Sequence, residues 1–157
     1  MNLIKSFLYA LQGVWHCICR ERNFRIHMVA ALTVALFSYF YGVPESRIPL
    51  LVFGIIFVFV TEMINTAVET VVDLCSPEYH ALAKKAKDIA AGAVLISAVC
   101  AVIIAFEVFS DLVKLRHVWA VLTGSWQSVT AVIVYILLCV IFIFSIRGKP
   151  YNQFTEH

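Results

Sequence analysis

The sequence predicts an all-α integral membrane protein with an N-terminal surface amphipathic helix, three core membrane-crossing helices and a fourth, additional one at the C-terminal end. Three observations carry that expectation. The chain is 62% apolar and 14% charged over 157 residues, against roughly 45–50% and about 25% in soluble domains. A fold of this size cannot bury the excess in its own core, whereas a bilayer accommodates it. Apolar runs long enough to cross a membrane recur at 26–43, 48–72, 89–109 and 129–146. The basic residues between them crowd onto alternate connections.

Taken in order, residues 1–19 place Leu3, Phe7, Leu11, Val14, Trp15 and Ile18 at helical spacing. One apolar face suits a helix lying on the membrane surface, or equally a plainly packed one. The first span ends at the turn signal Gly42-Val43-Pro44. The second, 48–72, is wholly apolar in its first half and carries Glu62, Asn65 and Glu69 in its second. Ser76, followed by Pro77 and Glu78, reads as a cap with proline at the first helical position. The helix expected there begins polar, with His80, Lys84, Lys85, Lys87 and Asp88, and continues as the third span. A mixed stretch, 111–128, precedes the fourth. The division expected is a membrane domain over 1–110 and a C-terminal extension over 111–157.

Orientation follows from the lysines and arginines. Lys5, Arg20, Arg22 and Arg25, then Lys84, Lys85 and Lys87, then Arg147 and Lys149 all fall on one side of four spans, leaving Arg47, Lys114 and Arg116 on the other. Both termini and the 73–88 segment are therefore expected at the cytoplasmic face of the cell membrane.

Several classes are disfavoured. A net charge of +2 without an aromatic-interleaved basic stripe argues against a nucleic-acid partner. Cysteines at 17, 19, 75, 100 and 139 include no C-x-x-C and support neither a disulfide framework nor a zinc site. Cys17 and Cys19 read as packing or lipid-facing thiols. Residues 1–19 lack the continuous apolar core of a cleavable signal. No G-x-x-x-x-G-K loop occurs, nor the H-R-D and D-F-G elements of protein kinases.

The chemistry is concentrated in T-E-M-I-N-T-A-V-E-T-V-V-D, residues 61–73. Glu62, Asn65, Glu69 and Asp73 fall within a stripe of roughly 80° at about 100° per residue. Acidic groups in a span cost about 2.5–3.5 kcal/mol each near its centre and less at the interface. Such a stripe needs a cation, a basic partner or water. A solvated helix end would also tolerate it, but Met63, Ile64, Ala67, Val68, Val71 and Val72 between the polar residues stay apolar. Phosphoryl transfer suits the set: it needs a divalent cation on carboxylates, a basic group on the phosphates and a group to orient or deprotonate the nucleophile. Lys84 and Lys87 can face phosphates. Glu21, in R-E-R-N-F-R, adds an acid at the same face, or makes an ordinary interfacial pair with Arg22 or Arg25.

These residues carry a resemblance. Glu62–Asp73 (E-x-x-N-x-A-x-E-x-x-x-D), then His80-Ala81-Leu82-Ala83-Lys84, then Ala86-Lys87-Asp88-Ile89-Ala90-Ala91-Gly92-Ala93-Val94, with the opening Glu21-Arg22-Asn23-Phe24-Arg25-Ile26-His27, resemble the prokaryotic diacylglycerol kinase family over roughly residues 5–109. The opening and the A-A-G-A-V run look most like its Gram-positive branch, whose members act as undecaprenol kinases. The resemblance implies a homotrimer with three spans and a surface helix per subunit, and active sites shared between subunits at the cytoplasmic face. By position, Glu62 resembles the catalytic base on the lipid hydroxyl. Glu21 and Glu69 resemble the carboxylates that bind magnesium, with Asn65 beside them. Lys87 resembles the lysine on the ATP phosphates, and His80 and Asp88 resemble nucleotide-site residues. Asp73 and Lys84 belong to the same motif. His27 stands where the enterobacterial branch has a glutamate, and a lone histidine entering a span is otherwise a packing or interfacial residue. Residues 111–157 have no counterpart in the three-span core, and the fourth span reads as lipid-facing packing.

The expected activity is ATP- and magnesium-dependent phosphorylation of a membrane lipid alcohol, undecaprenol first and diacylglycerol second. A small transporter subunit or a scaffold is the contrasting reading. Transport is disfavoured because the polar stripe has no Gly or Pro break and lies at one end of the spans.

Overall fold

The computed structural model describes residues 3–76 and 78–145. The helices among these residues are α1 (Leu3–Arg20), α2 (Arg22–Tyr41), α3 (Ile48–Cys75), α4 (Ala81–Val108), α5 (Leu112–Thr123) and α6 (Trp126–Ser145), with a 3-10 turn at Glu45–Arg47. Four of them, α2, α3 with its preceding turn, α4 and α6, are long and apolar enough to cross a membrane. The chain is an all-α, multi-pass membrane protein.

Local chemistry sets the helix boundaries. Gly42 ends α2 with φ 66°, and its N–H and that of Val43 return to the Tyr39 and Ser38 carbonyls; a side chain at that φ would be strained. Proline in the first turn of α3 occupies a place where no N–H is needed. The helix after the loop starts at Ala81, and its cap is His80, whose Nδ1 accepts the Leu82 N–H at 3.2 Å. The expectation that Ser76 opens this helix is therefore corrected: the Ser76 N–H instead closes the last turn of α3 on Val72. Pro77 lies outside the described residues. The stretch 111–128, expected only as mixed, contains α5, which the Asp111 carboxylate caps by accepting the Val113 N–H at 2.9 Å and the Lys114 N–H at 3.3 Å.

α3 and α4 form the tightest pair. Gly54 lets them approach, since a Cβ there would lie 3.2 Å from Ile104 Cδ1 and 3.6 Å from Ala101 Cα. One turn pair below, the Thr61 and Ser97 hydroxyls meet at 2.7 Å, and Ser97 is fully buried. Both helices have 28 residues, so each is about 42 Å long against a hydrocarbon layer of about 30 Å. Their shared end must emerge into the headgroup region, and that end carries Glu69, Asp73, Lys84 and Lys87.

The extension is held along the length of α2. At the far end the Asp111 N–H donates to Tyr41 Oη at 2.9 Å, and Lys114 Nζ donates to the Gly42 carbonyl at 3.2 Å. Midway, Thr33 Oγ1 and Tyr135 Oη share a hydrogen bond of 2.8 Å. At the polar end Arg25 Nε donates to the Ile143 carbonyl at 3.1 Å. α1 folds back at that same end, and Leu3, Ile4, Phe7 and Trp15 on it stay exposed. This is the unpartnered apolar surface expected of a helix lying along a membrane.

Candidate active site

Glu62 is the centre of the polar end. It sits mid-way down α3 with 3% of its surface exposed. A buried carboxylate requires a partner, and His27 of α2 supplies one, with Nε2 3.2 Å from Oε1. Asn65, a turn further on, is buried as well and donates through Nδ2 to Glu69 Oε1 at 3.0 Å. Its carbonyl Oδ1 is buried without a hydrogen-bond partner. A buried amide oxygen left open is costly, and this one belongs to the side chain that bonds Glu69.

Glu21 closes the group from the break between α1 and α2. Burial raises its carboxyl above the usual carboxylate range, and the Glu69 and Glu62 carboxylates push the same way, while His16 and Arg25 pull it down. The sequence-expected acids Glu21, Glu62 and Glu69 are therefore within electrostatic reach of one another, although they come from two separate segments. The Cys17 thiol, buried under α1, is pushed up by burial and then by Glu21, with the Thr66 hydroxyl opposing. It packs into the site, in keeping with a packing thiol.

The remaining expected residues lie nearer the surface. Lys87 of α4 pairs with Asp73 at the end of α3. Lys84 and Asp88 are exposed on α4, and His80 is engaged as its helix cap. The geometry thus separates an inner group (His27, Glu62, Asn65, Glu69, Glu21) from an outer, solvent-facing one (Asp73, Lys87, Lys84, Asp88). An apolar cleft of about 510 Å³ opens between α2, α5 and α6 around Thr33, Leu36, Phe40, Val132 and Ile136. By helical angle those α2 positions point away from His27, so this cleft belongs to the extension rather than to the site.

Two contributors lay outside the sequence-expected site. Thr66 lies four residues after Glu62 on the same stripe, so its position was legible. Arg25 is 4% exposed and donates from Nη1 to the Ile18 and Cys19 carbonyls at 3.1 and 3.3 Å. It thereby pins the C-terminal end of α1 beside Glu21. Only its place in the opening segment hinted at this.

Among the described residues no group of three or more His, Cys, Asp or Glu side chains encloses a metal position alone. The available donors, two carboxylates and an open amide oxygen, are hard oxygen ligands. They fit a magnesium ion that keeps water and phosphate oxygens in its other positions.

A family model described as prokaryotic diacylglycerol kinase matches residues 8–109. The chain belongs to the prokaryotic diacylglycerol kinase family. Membership makes it a lipid kinase, and the match covers α2 to α4 and most of α1 while stopping short of α5 and α6. Among curated proteins the chain is similar to a diacylglycerol kinase of Synechocystis sp., 42% identical over 104 residues, covering 66% of this chain and 59% of that protein. It is similar to an undecaprenol kinase of Bacillus subtilis, 41% identical over 110 residues, covering 69% of this chain and 88% of that one. It is also similar to a diacylglycerol kinase of Escherichia coli, 35% identical over 102 residues, covering 65% and 84%. The chain thus spans a little under two thirds of the Synechocystis relative's length. No solved structure matches.

Proposed function

We propose that this protein transfers the γ-phosphoryl group of ATP to the hydroxyl of undecaprenol at the cytoplasmic face of the cell membrane. The observation that carries this reading is Glu62, a buried carboxylate on α3, with the unpartnered Asn65 Oδ1 one turn beyond it and the Glu69 carboxylate a further turn on. Undecaprenol is placed first on the relative of that name, matched over 88% of its length, and on His27 at the position that resembles the Gram-positive branch. Diacylglycerol is the second reading, favoured by the names of the other relatives.

In this reading Glu62 takes the proton of the lipid hydroxyl as it attacks the γ-phosphorus, and the bond to the β-phosphate oxygen breaks to release ADP. Glu21, Glu69 and Asn65 Oδ1 would hold a magnesium ion, which would supply charge neutralisation for the phosphoryl group. Lys87 leaves Asp73 to meet those phosphates. Lys84, Asp88 and His80 line the nucleotide side, on the exposed start of α4. The exposed apolar faces of α3 and α4, including Ile56, Val60, Leu95, Val99 and Val102, suit subunit packing in a homotrimer with shared sites as well as lipid contact.

The test is ATP consumption by the purified protein in lipid-containing micelles with magnesium, comparing undecaprenol, diacylglycerol and no lipid. Undecaprenol turned over well above diacylglycerol supports the full reading. Preference for diacylglycerol keeps the mechanism and overturns the substrate. Turnover of neither overturns the reading.

A further inference from the structure

We propose that His27 is a positioning residue for the transfer, its Nε2–H holding one oxygen of Glu62 so that the other is aimed at the lipid hydroxyl. The proposal rests on the kinase reading of Glu62.

Three observations carry it. The contact is direct, 3.2 Å from Nε2 to Oε1, and joins different helices, α2 and α3. The exposures differ: the Glu62 side chain is 4% exposed and that of His27 23%. The carboxylate is buried, and the imidazole beside it is partly exposed. Finally, Glu21 at the α1–α2 junction and Cys17 on α1 lie within electrostatic reach of Glu62, while His27 is the ionisable side chain in ion-pair contact with it among the described residues. On α4, the buried Ser97 hydroxyl is engaged with Thr61 Oγ1 and the Val94 carbonyl.

A carboxylate with two equivalent oxygens rotates freely about its last torsion unless one oxygen is tied. Tying Oε1 to an N–H donor leaves Oε2 as the single open acceptor, the condition a general base needs. Neutral imidazole protonated on Nε2 and imidazolium both donate from that atom. The donor is therefore present in both forms of the ring. A glutamate in the same place could donate only while the pair holds a proton, because two carboxylates at that separation do not both ionise readily.

The experiment compares the wild type with His27→Phe, His27→Gln and His27→Glu in micelles with undecaprenol and with diacylglycerol, across pH, with circular dichroism to confirm the helices. His27→Phe keeps the ring and removes the N–H; kcat is expected to fall about tenfold or more with the KM for ATP unchanged. His27→Gln returns an N–H donor and should recover most of kcat. His27→Glu should work at the acid end and lose activity as pH rises, where the wild type does not. His27→Phe at wild-type kcat, or His27→Gln no better than His27→Phe, overturns the proposal. An isotope-edited infrared spectrum of the Glu62 carboxylate gives a readout free of turnover: the band moves in His27→Phe and stays in His27→Gln. If the wild type phosphorylates neither lipid, the kinase reading fails, and the band alone then decides whether His27 holds Glu62. An unmoved band overturns the proposal.

Discussion

The two ends of α2 are both fastened by polar contacts, yet they do different things. At the end bearing Gly42, the contacts that fasten the helices are closed hydrogen bonds: the Asp111 N–H on Tyr41 Oη, Lys114 on the Gly42 carbonyl, and Arg47 on the Glu107 carbonyl. At the end bearing Glu21, several groups are held apart from full satisfaction. Asn65 Oδ1 is buried and open, and Glu21 is held near Glu69 against mutual repulsion. Closed networks hold a fold together, whereas a buried acceptor left open and acids crowded together are tolerated where a ligand completes them. The comparison assigns structure to one end and chemistry to the other, and it places α5 and α6 mainly with the structural end.

The largest effects should come from the crowded acids. Glu69→Gln and Glu21→Gln should each lower lipid phosphorylation roughly a hundredfold and raise the magnesium concentration needed, as read by a magnesium titration of activity. Stability should move the other way for Glu21→Gln. A carboxyl whose folded pKa lies above its unfolded one weakens the fold at neutral pH, and that penalty fades as pH falls through the raised value toward the unfolded one. The variant should therefore melt higher than the wild type at neutral pH, with the gap narrowing as the solution is acidified. A lower melting point would mean that Glu21 is a structural partner and would erase the contrast between the ends.

Arg25 is a closed contact at the Glu21 end, where it ties α1 and α6 to α2. Arg25→Ala leaves three carbonyl acceptors without their charged donor, and about 3 kcal/mol of stability should be lost in a thermal or denaturant titration. Gly54→Leu should cost about 2 kcal/mol by forcing α3 from α4 at the Ala101 and Ile104 contact. Its effect on activity should follow from stability alone. The smallest effect belongs to the extension. Tyr135→Phe removes the hydrogen bond to Thr33, worth about 0.6 kcal/mol in a membrane interior, and kcat should be unchanged. A loss of turnover in Tyr135→Phe would bring the extension into the catalytic account.

The sequence made the spans and the acid stripe legible because both follow from periodicity: Glu62, Asn65 and Glu69 share a face by spacing alone. What it could not show are contacts between helices distant in sequence. His27 was readable as a branch marker, but its place against Glu62 depends on how α2 packs on α3. Arg25 looked like one more basic residue at the inner face until the fold buried it among the carbonyls of α1 and α6. The start of α4 was misread because Ser76-Pro77-Glu78 carries a strong capping pattern, while the cap in the fold is a histidine nitrogen. α5 was missed although Asp111 is an ordinary helix cap, since a short amphipathic helix with Lys114, Arg116 and His117 among apolar residues has no span-like run.

The central claim is that Glu62 is the base for a lipid hydroxyl. Its most direct test is Glu62→Gln, a change that preserves size and one acceptor oxygen, measured with saturating ATP and magnesium on undecaprenol. The account predicts that the protein stays folded and that turnover falls by roughly 10² or more. Full activity in Glu62→Gln would contradict it.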